Sequence, residues 1–234
     1  MLKPKFLSTK SFSLNKLLNG GLPLRELSLI YGEASTGKTT LVLQTAIEAA
    51  KNLLKVLYID VDYSFTPQRF NQIAGLHANK ASPNIFIFTP KTFFEQTQII
   101  ENLETYLSKL TVLIIVDSIT TLYRLEVSTL EERFALNRAL NRQLAYLAEL
   151  AKKHELAVVL TSQVHSSLNE YVDIEPIAKR ALFHWCGTII KLVNLKGNFK
   201  EVIVERLNFK ETPNLKCKLK LTKEGLIEAL NKDE

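Results

Sequence analysis

A chain of 234 residues that is 46% hydrophobic and 23% charged, with a formal net charge of +6, has ordinary globular composition and enough length to bury a substantial core. Seven prolines and eight glycines exclude a long low-complexity region. No apolar stretch reaches bilayer-spanning length, the opening MLKPKFLSTKSF lacks a secretion signal's apolar core, and two cysteines, Cys186 and Cys217, make neither a disulfide framework nor a complete zinc site, so a reducing cytoplasm is expected.

In chain order, short β-branched runs alternate with longer helical ones, the pattern of an α/β fold with a mostly parallel central sheet flanked by helices. Strands are expected at 27–31 (LSLIY), 56–59 (VLYI), 85–88 (IFIF), 112–116 (VLIIV) and 157–161 (AVVLT). Several are apolar throughout, as strands buried on both faces are. Helices are expected over 38–52, 67–75, 93–109 and 130–153; in the last, Phe134, Leu136, Leu140, Leu144, Leu147 and Leu150 recur near the helical period. After about residue 185 the texture changes to TIIKLV, EVIVERL and LKCKLKLT, with turn signals at KGN and KETPN that predict antiparallel hairpins continuing the sheet. No internal repeat or linker is evident, so a single domain over 1–234 is expected, with a short N-terminal extension over 1–10.

Residues 32–39, GEASTGKT, match the phosphate-loop pattern G-x-x-x-x-G-K-[ST] between a predicted strand and a predicted helix. Gly32, Glu33, Ala34, Ser35, Thr36, Gly37, Lys38, Thr39 and Thr40 are therefore candidate nucleotide-binding residues. Glycines let successive backbone N–H groups turn toward phosphate oxygens at a helix N-terminus. Lys38 would reach the β- and γ-phosphates, and the Thr39 hydroxyl would ligate Mg²⁺; the bland alternative is a chance glycine turn. A fully apolar strand ending in Asp117-Ser118, roughly 80 residues after the loop, has the form of the site whose aspartate holds Mg²⁺. An aspartate at a strand end can also be a helix cap. ATP and Mg²⁺ are the implied ligands.

Four blocks in order, FSLNKLLNGGLPLRELSLIYGEASTGKTTL (12–41), YIDVDYSFTPQRF (58–70), LIIVDSITTLYR (113–124) and LAVVLTSQV (156–164), resemble the ATPase core of the RecA/Rad51/RadA recombinases. The resemblance takes in about nine-tenths of the chain. About ten residues precede the core, which implies absence of the family's N-terminal helical DNA-binding domain and of the linker with its Phe-x-x-Ala polymerisation motif. It implies that Gln163 senses the γ-phosphate and begins the DNA-contacting loop, and that Arg69 packs near the adenine. It also implies that Lys179, Arg180 and His184 contact DNA, single-stranded DNA being the preferred form. For Gln163 the alternative is an ordinary polar strand end, for Arg69 a solvated helix residue, and for His184 packing beside Trp185. His77, His154 and His165 show no ligand spacing.

YIDVDYSF (58–65) ends in two carboxylates. In the family the pattern is Asp-x-Glu, the glutamate orienting the attacking water. Asp60 matches the structural acid, and Asp62 stands one methylene short where the water-activating residue belongs. Such a setback can cost about 10²-fold in a positioned proton transfer. ATP is thus expected to be bound well and hydrolysed slowly.

Charge is concentrated late in the chain: from Ala178 to Lys223 eleven Lys/Arg face three Glu, a balance of +8, more than the net charge of the whole. A polyanion would find that useful. Lys216, Lys218 and Lys220 fall on one face of a strand, either as a phosphate-contacting stripe or as a sheet edge guarded against aggregation. Two functions remain open. One is a nucleotide-gated accessory protein that binds DNA and the main recombinase of the RadA type, with weak ATP hydrolysis. The other is a DNA-dependent ATPase acting directly on recombination intermediates. A KaiC-like RecA-fold ATPase outside repair is a third alternative.

Overall fold

The computed structural model describes residues 4–126, 130–164 and 175–229. The elements run β1 (Phe6–Leu7), α1 (Phe12–Leu17), β2 (Leu22–Pro23), β3 (Glu26–Gly32), α2 (Lys38–Ala50), β4 (Lys55–Asp60), α3 (Pro67–Ala74), α4 (Ala78–Ala81) and β5 (Ile85–Phe88). They continue with α5 (Phe93–Asn102), β6 (Thr111–Asp117), α6 (Thr121–Glu126), α7 (Leu130–Lys153), β7 (Ala157–Ser162), α8 (Lys179–Trp185), β8 (Cys186–Asn194), β9 (Phe199–Leu207), β10 (Lys210–Thr222) and β11 (Gly225–Glu228).

One nine-stranded sheet has the order β11-β10-β9-β8-β3-β7-β6-β4-β5. It is parallel from β8 to β5 and antiparallel from β8 to β11. Strands β3, β6 and β7 lie inside the parallel half and are buried nearly end to end, which explains their uninterrupted apolar sequences. Helices α1 to α4 cover one face, with Leu41, Leu43 and Ala46 of α2 in its core; α5, α7 and α8 cover the other, with Leu140, Leu144, Leu147 and Leu150.

Some expectations are corrected. Strand β5 is the sheet edge rather than a doubly buried strand, so Phe86 and Ile87 are 42% and 44% exposed. Phe134 keeps the helical period but points outward, 60% exposed. The helix predicted over 93–109 stops at Asn102 and tightens into a 3₁₀ turn, Leu103–Tyr106. The chain reverses after β9 at Asn208-Phe209, both with positive φ (50° and 63°), and KETPN is instead part of β10, where a bulge shifts the register between Glu211 and Leu215. Strand β8 joins β3 in parallel before the antiparallel run begins.

Candidate functional site

The strand-to-helix passage after β3 needs glycine for a steric reason. A Cβ on Gly32 would lie 2.3 Å from the Leu192 carbonyl oxygen of neighbouring β8, so a side chain there would push the two strands apart. Gly37, at φ 98°, turns the chain into α2. The first-turn N–H groups of α2 have no intrahelical acceptor and suit an anion. Thr36 is buried, its hydroxyl donating to the Glu33 carbonyl at 2.9 Å, which braces the loop from behind. The Lys38 ammonium donates to the Gly32 and Glu33 carbonyls at 2.9 and 2.7 Å. Burial pushes its pKa below the ordinary lysine value, and the carboxylates of Asp117, Asp62 and Glu33 oppose that shift.

Asp117 ends β6 and is 1% exposed. Tyr58 donates to its Oδ2 at 2.9 Å, and the Thr161 hydroxyl donates to its Oδ1. Burial raises its pKa; hydrogen bonds from Thr161, Tyr58 and Thr39 pull it back. The Thr39 hydroxyl is thus tied to this carboxylate, so the two residues suggested for a metal ion share one spot. Among the described residues no cluster of three or more His, Cys, Asp or Glu could hold a metal by itself.

The two carboxylates after β4 part company. Asp60 is buried and accepts from Ser64 N and Phe65 N, both at 3.0 Å, and from the Ser64 hydroxyl at 3.2 Å. It thereby shapes the loop that carries Asp62. Asp62 is exposed, its backbone N–H donating to the Asp117 carbonyl at 3.3 Å. Gln163, just past β7, donates from Nε2 to Asp62 Oδ2 at 3.4 Å. The Gln163 carbonyl in turn accepts from Ile177 N at 3.1 Å, two residues before α8.

Lys38, Thr39, Asp62, Asp117, Gln163 and Arg69 meet, with Ala34, Ser35, Gly37 and Thr40, around one cavity of about 690 Å³. Gly32, Glu33 and Thr36 stand behind it as scaffold. Asn198 from the β8–β9 turn, Leu221 and Thr222 at the end of β10, and Lys223 just past it also line the cavity; of these only Asn198 lies in a turn, KGN, that the sequence signals.

Lys179, Arg180 and His184 do not join this cavity. They line a separate groove of about 590 Å³ between α7 and α8, with Asn137, Asn141 and Glu175. Lys179 pairs with Glu175 at 2.6 Å, and His184 sits edge-on to Trp185, 5.2 Å between ring centroids. His165 and most of the suggested DNA loop lie outside the described residues. Strand β11 pairs with Leu219–Thr222 and so covers β10 at Lys220, whereas Lys216 and Lys218 precede that paired stretch. Lys216 bonds Glu201 at 3.0 Å, and Lys218 and Lys220 lie over the Phe199 ring at 4.7 and 5.4 Å.

Comparison with known proteins adds to this geometry. A family model described as Rad51 matches residues 5–229. The DNA repair and recombination protein RadB of Thermococcus kodakarensis is 35% identical over 94% of this chain and 98% of its own. RadB of Methanococcus maripaludis strain C7 is 34% identical over 88% and 94%, and that of Methanococcoides burtonii 37% over 76% and 79%. A crystal structure of the RadB recombinase superposes with a TM-score of 0.80 at 33% identity, covering 96% of this chain and all of that one. Among the described residues no helix is long and apolar enough to cross a membrane.

Proposed function

The chain belongs to the Rad51 family, and from that premise we propose that it is an ATP-binding accessory protein of DNA repair and homologous recombination. It binds DNA and a recombinase of the RadA type, and it hydrolyses ATP slowly. The observation that carries the reading is the convergence of Lys38, Thr39, Asp62, Asp117 and Gln163 on one cavity behind a glycine-braced loop.

The donor set fits ATP with Mg²⁺. Thr39 and Asp117 would hold the ion, which supplies positive charge against the β- and γ-phosphates when bound. Phosphate oxygens and water would complete its ligands. The loop amides and Lys38 bind phosphate; Lys38 exchanges the Gly32 and Glu33 carbonyls for phosphate oxygens, a stronger, charge-assisted pairing. Asp62 orients water and accepts its proton at Oδ2, the atom to which Gln163 donates. Because Asp62 is a short acid on an exposed loop, water is positioned loosely and turnover is slow. The route from Gln163 through Ile177 to α8 supports gating of a DNA-facing groove by the nucleotide. A cavity complete for binding but short in its base supports the accessory role over the direct enzymatic one.

The test is an ATPase assay with and without single-stranded DNA on wild type, Lys38→Ala and Asp62→Glu, alongside a pull-down with the RadA-type recombinase. A wild-type turnover near ~10 s⁻¹, typical of enzymes, would refute the slow-ATPase reading. Strong stimulation of the wild type by DNA would favour direct action on recombination intermediates.

A further inference from the structure

The nucleotide cavity has a wall that phosphate chemistry does not account for. Loop amides, Lys38 and Thr39 claim the phosphates, and Asp62, Asp117 and Gln163 claim the end where water and metal would work. What remains is lined by Arg69, Asn198, Leu221, Thr222 and Lys223, and this is the space left for base and ribose.

A hairpin turn such as that between β10 and β11 would ordinarily leave its carbonyls to water. Here three successive carbonyls are taken by cations from distant parts of the chain. Arg69 donates from Nη1 to the Lys223 carbonyl at 2.9 Å and from Nη2 to the Thr222 carbonyl at 3.2 Å. It also donates to Thr40 Oγ1 at 3.1 Å, tying the turn to the start of the phosphate-loop helix. The Lys10 ammonium donates to the Glu224 carbonyl at 3.1 Å and to the Ile73 carbonyl at 3.2 Å, near the C-terminus of α3, where a cation is favoured.

The backbone beside Lys10 is itself anchored. Gln44, buried in α2, donates to the Thr9 carbonyl at 2.6 Å and accepts from Leu226 N at 2.9 Å. One carboxamide thus joins the N-terminal segment, the phosphate-loop helix and β11. Gly225 sits at φ 121°, a backbone that favours glycine, and a Cβ there would come within 2.6 Å of the Gln44 Oε1 and displace it.

We propose that Lys10 is a positioning residue for nucleoside recognition, helping Arg69 hold the Thr222–Glu224 turn as the wall against which base and ribose lie. The inference rests on the cavity being a nucleotide site. It predicts that this wall is assembled within a single chain, and that loosening it weakens recognition of the nucleoside while leaving the phosphates' site intact.

The experiment is titration calorimetry of the full chain with ATP and, separately, with inorganic tripolyphosphate, both with Mg²⁺, on wild type, Lys10→Met and Lys10→Arg. Lys10→Met removes one exposed bond, to Glu224, and one part-buried bond, to Ile73, and a melting curve checks that it folds. ATP affinity is expected to fall about fivefold in Lys10→Met, the scale of one exposed charge-assisted hydrogen bond, with tripolyphosphate affinity unchanged and Lys10→Arg close to wild type. Equal weakening of both ligands would mean general loosening and overturn the inference, as would unchanged ATP affinity in Lys10→Met. A wild-type chain that binds neither ligand would overturn the nucleotide reading itself, a failure visible without any variant.

Discussion

The charged groups around the phosphate loop and the exposed lysines beyond residue 175, Lys179 and Lys216, are held in opposite ways. At the phosphate end Asp117 is buried against three hydroxyls and Lys38 is drawn onto two carbonyls of its own loop. Beyond residue 175, Lys179 and Lys216 make single ion pairs whose side chains remain substantially exposed. Desolvated groups in fixed geometry act strongly on a ligand and lose much when altered. Exposed pairs are worth little each and are screened by salt. On the proposed reading, the first region would take one small anion in one pose and the second a polyanion through many interchangeable contacts.

The largest expected effect therefore lies in the first region. Lys38→Ala removes the ammonium that would serve the phosphates and should lower ATP affinity about a hundredfold by calorimetry, since bonds to charged groups are the strong ones. A loss of only severalfold would place Lys38 with the exposed lysines and break the contrast. Next comes Asp62→Glu. It lengthens an exposed acid within reach of Gln163 and should raise ATP turnover by about 10- to 100-fold while leaving ATP affinity nearly constant. Unchanged turnover would show that side-chain length does not limit the reaction.

How much of this was legible in sequence follows the same divide. Phosphate-loop residues, Asp117 and the Asp60/Asp62 pair were readable because each sits at the end of an uninterrupted apolar strand, where local sequence dictates position. Asn198 and Lys223 were not, because they reach the cavity only through the sheet order, which places β8 to β11 beside β3. The turn after β9 was missed because Asn208 and Phe209 adopt left-handed backbone without a glycine to signal it. KETPN looked like that turn and is a bulge.

In the second region effects should be smaller and sensitive to salt. Arg180→Ala should weaken single-stranded DNA binding about threefold and lower the slope of log affinity against log salt by about 0.7, one phosphate contact on a single strand. Lys179→Ala should cost less, because Glu175 already holds that ammonium. Fluorescence anisotropy at several salt concentrations measures both. Affinity that ignores salt would remove the DNA role from this groove.

Glu228, a late-chain carboxylate held by several bonds, sharpens the contrast with those exposed lysines. It accepts from Ser11 Oγ at 2.8 Å, from Ser13 N at 3.1 Å and from the Ser13 hydroxyl, fastening β11 to the first turn of α1. Burial alone would raise its pKa, but the bonds from Ser13 and Ser11 outweigh it and leave the group below the ordinary glutamate value of 4.5. An acid whose folded pKa is depressed adds stability above its unfolded pKa and loses it as pH falls through the folded one. Glu228→Gln should therefore lower the melting temperature by about 3 °C at pH 7, with the gap to wild type closing as pH falls below 4.5. A gap that stays constant across that range would mean that the packing of β11, rather than the carboxylate charge, holds the hairpin to the N-terminal segment.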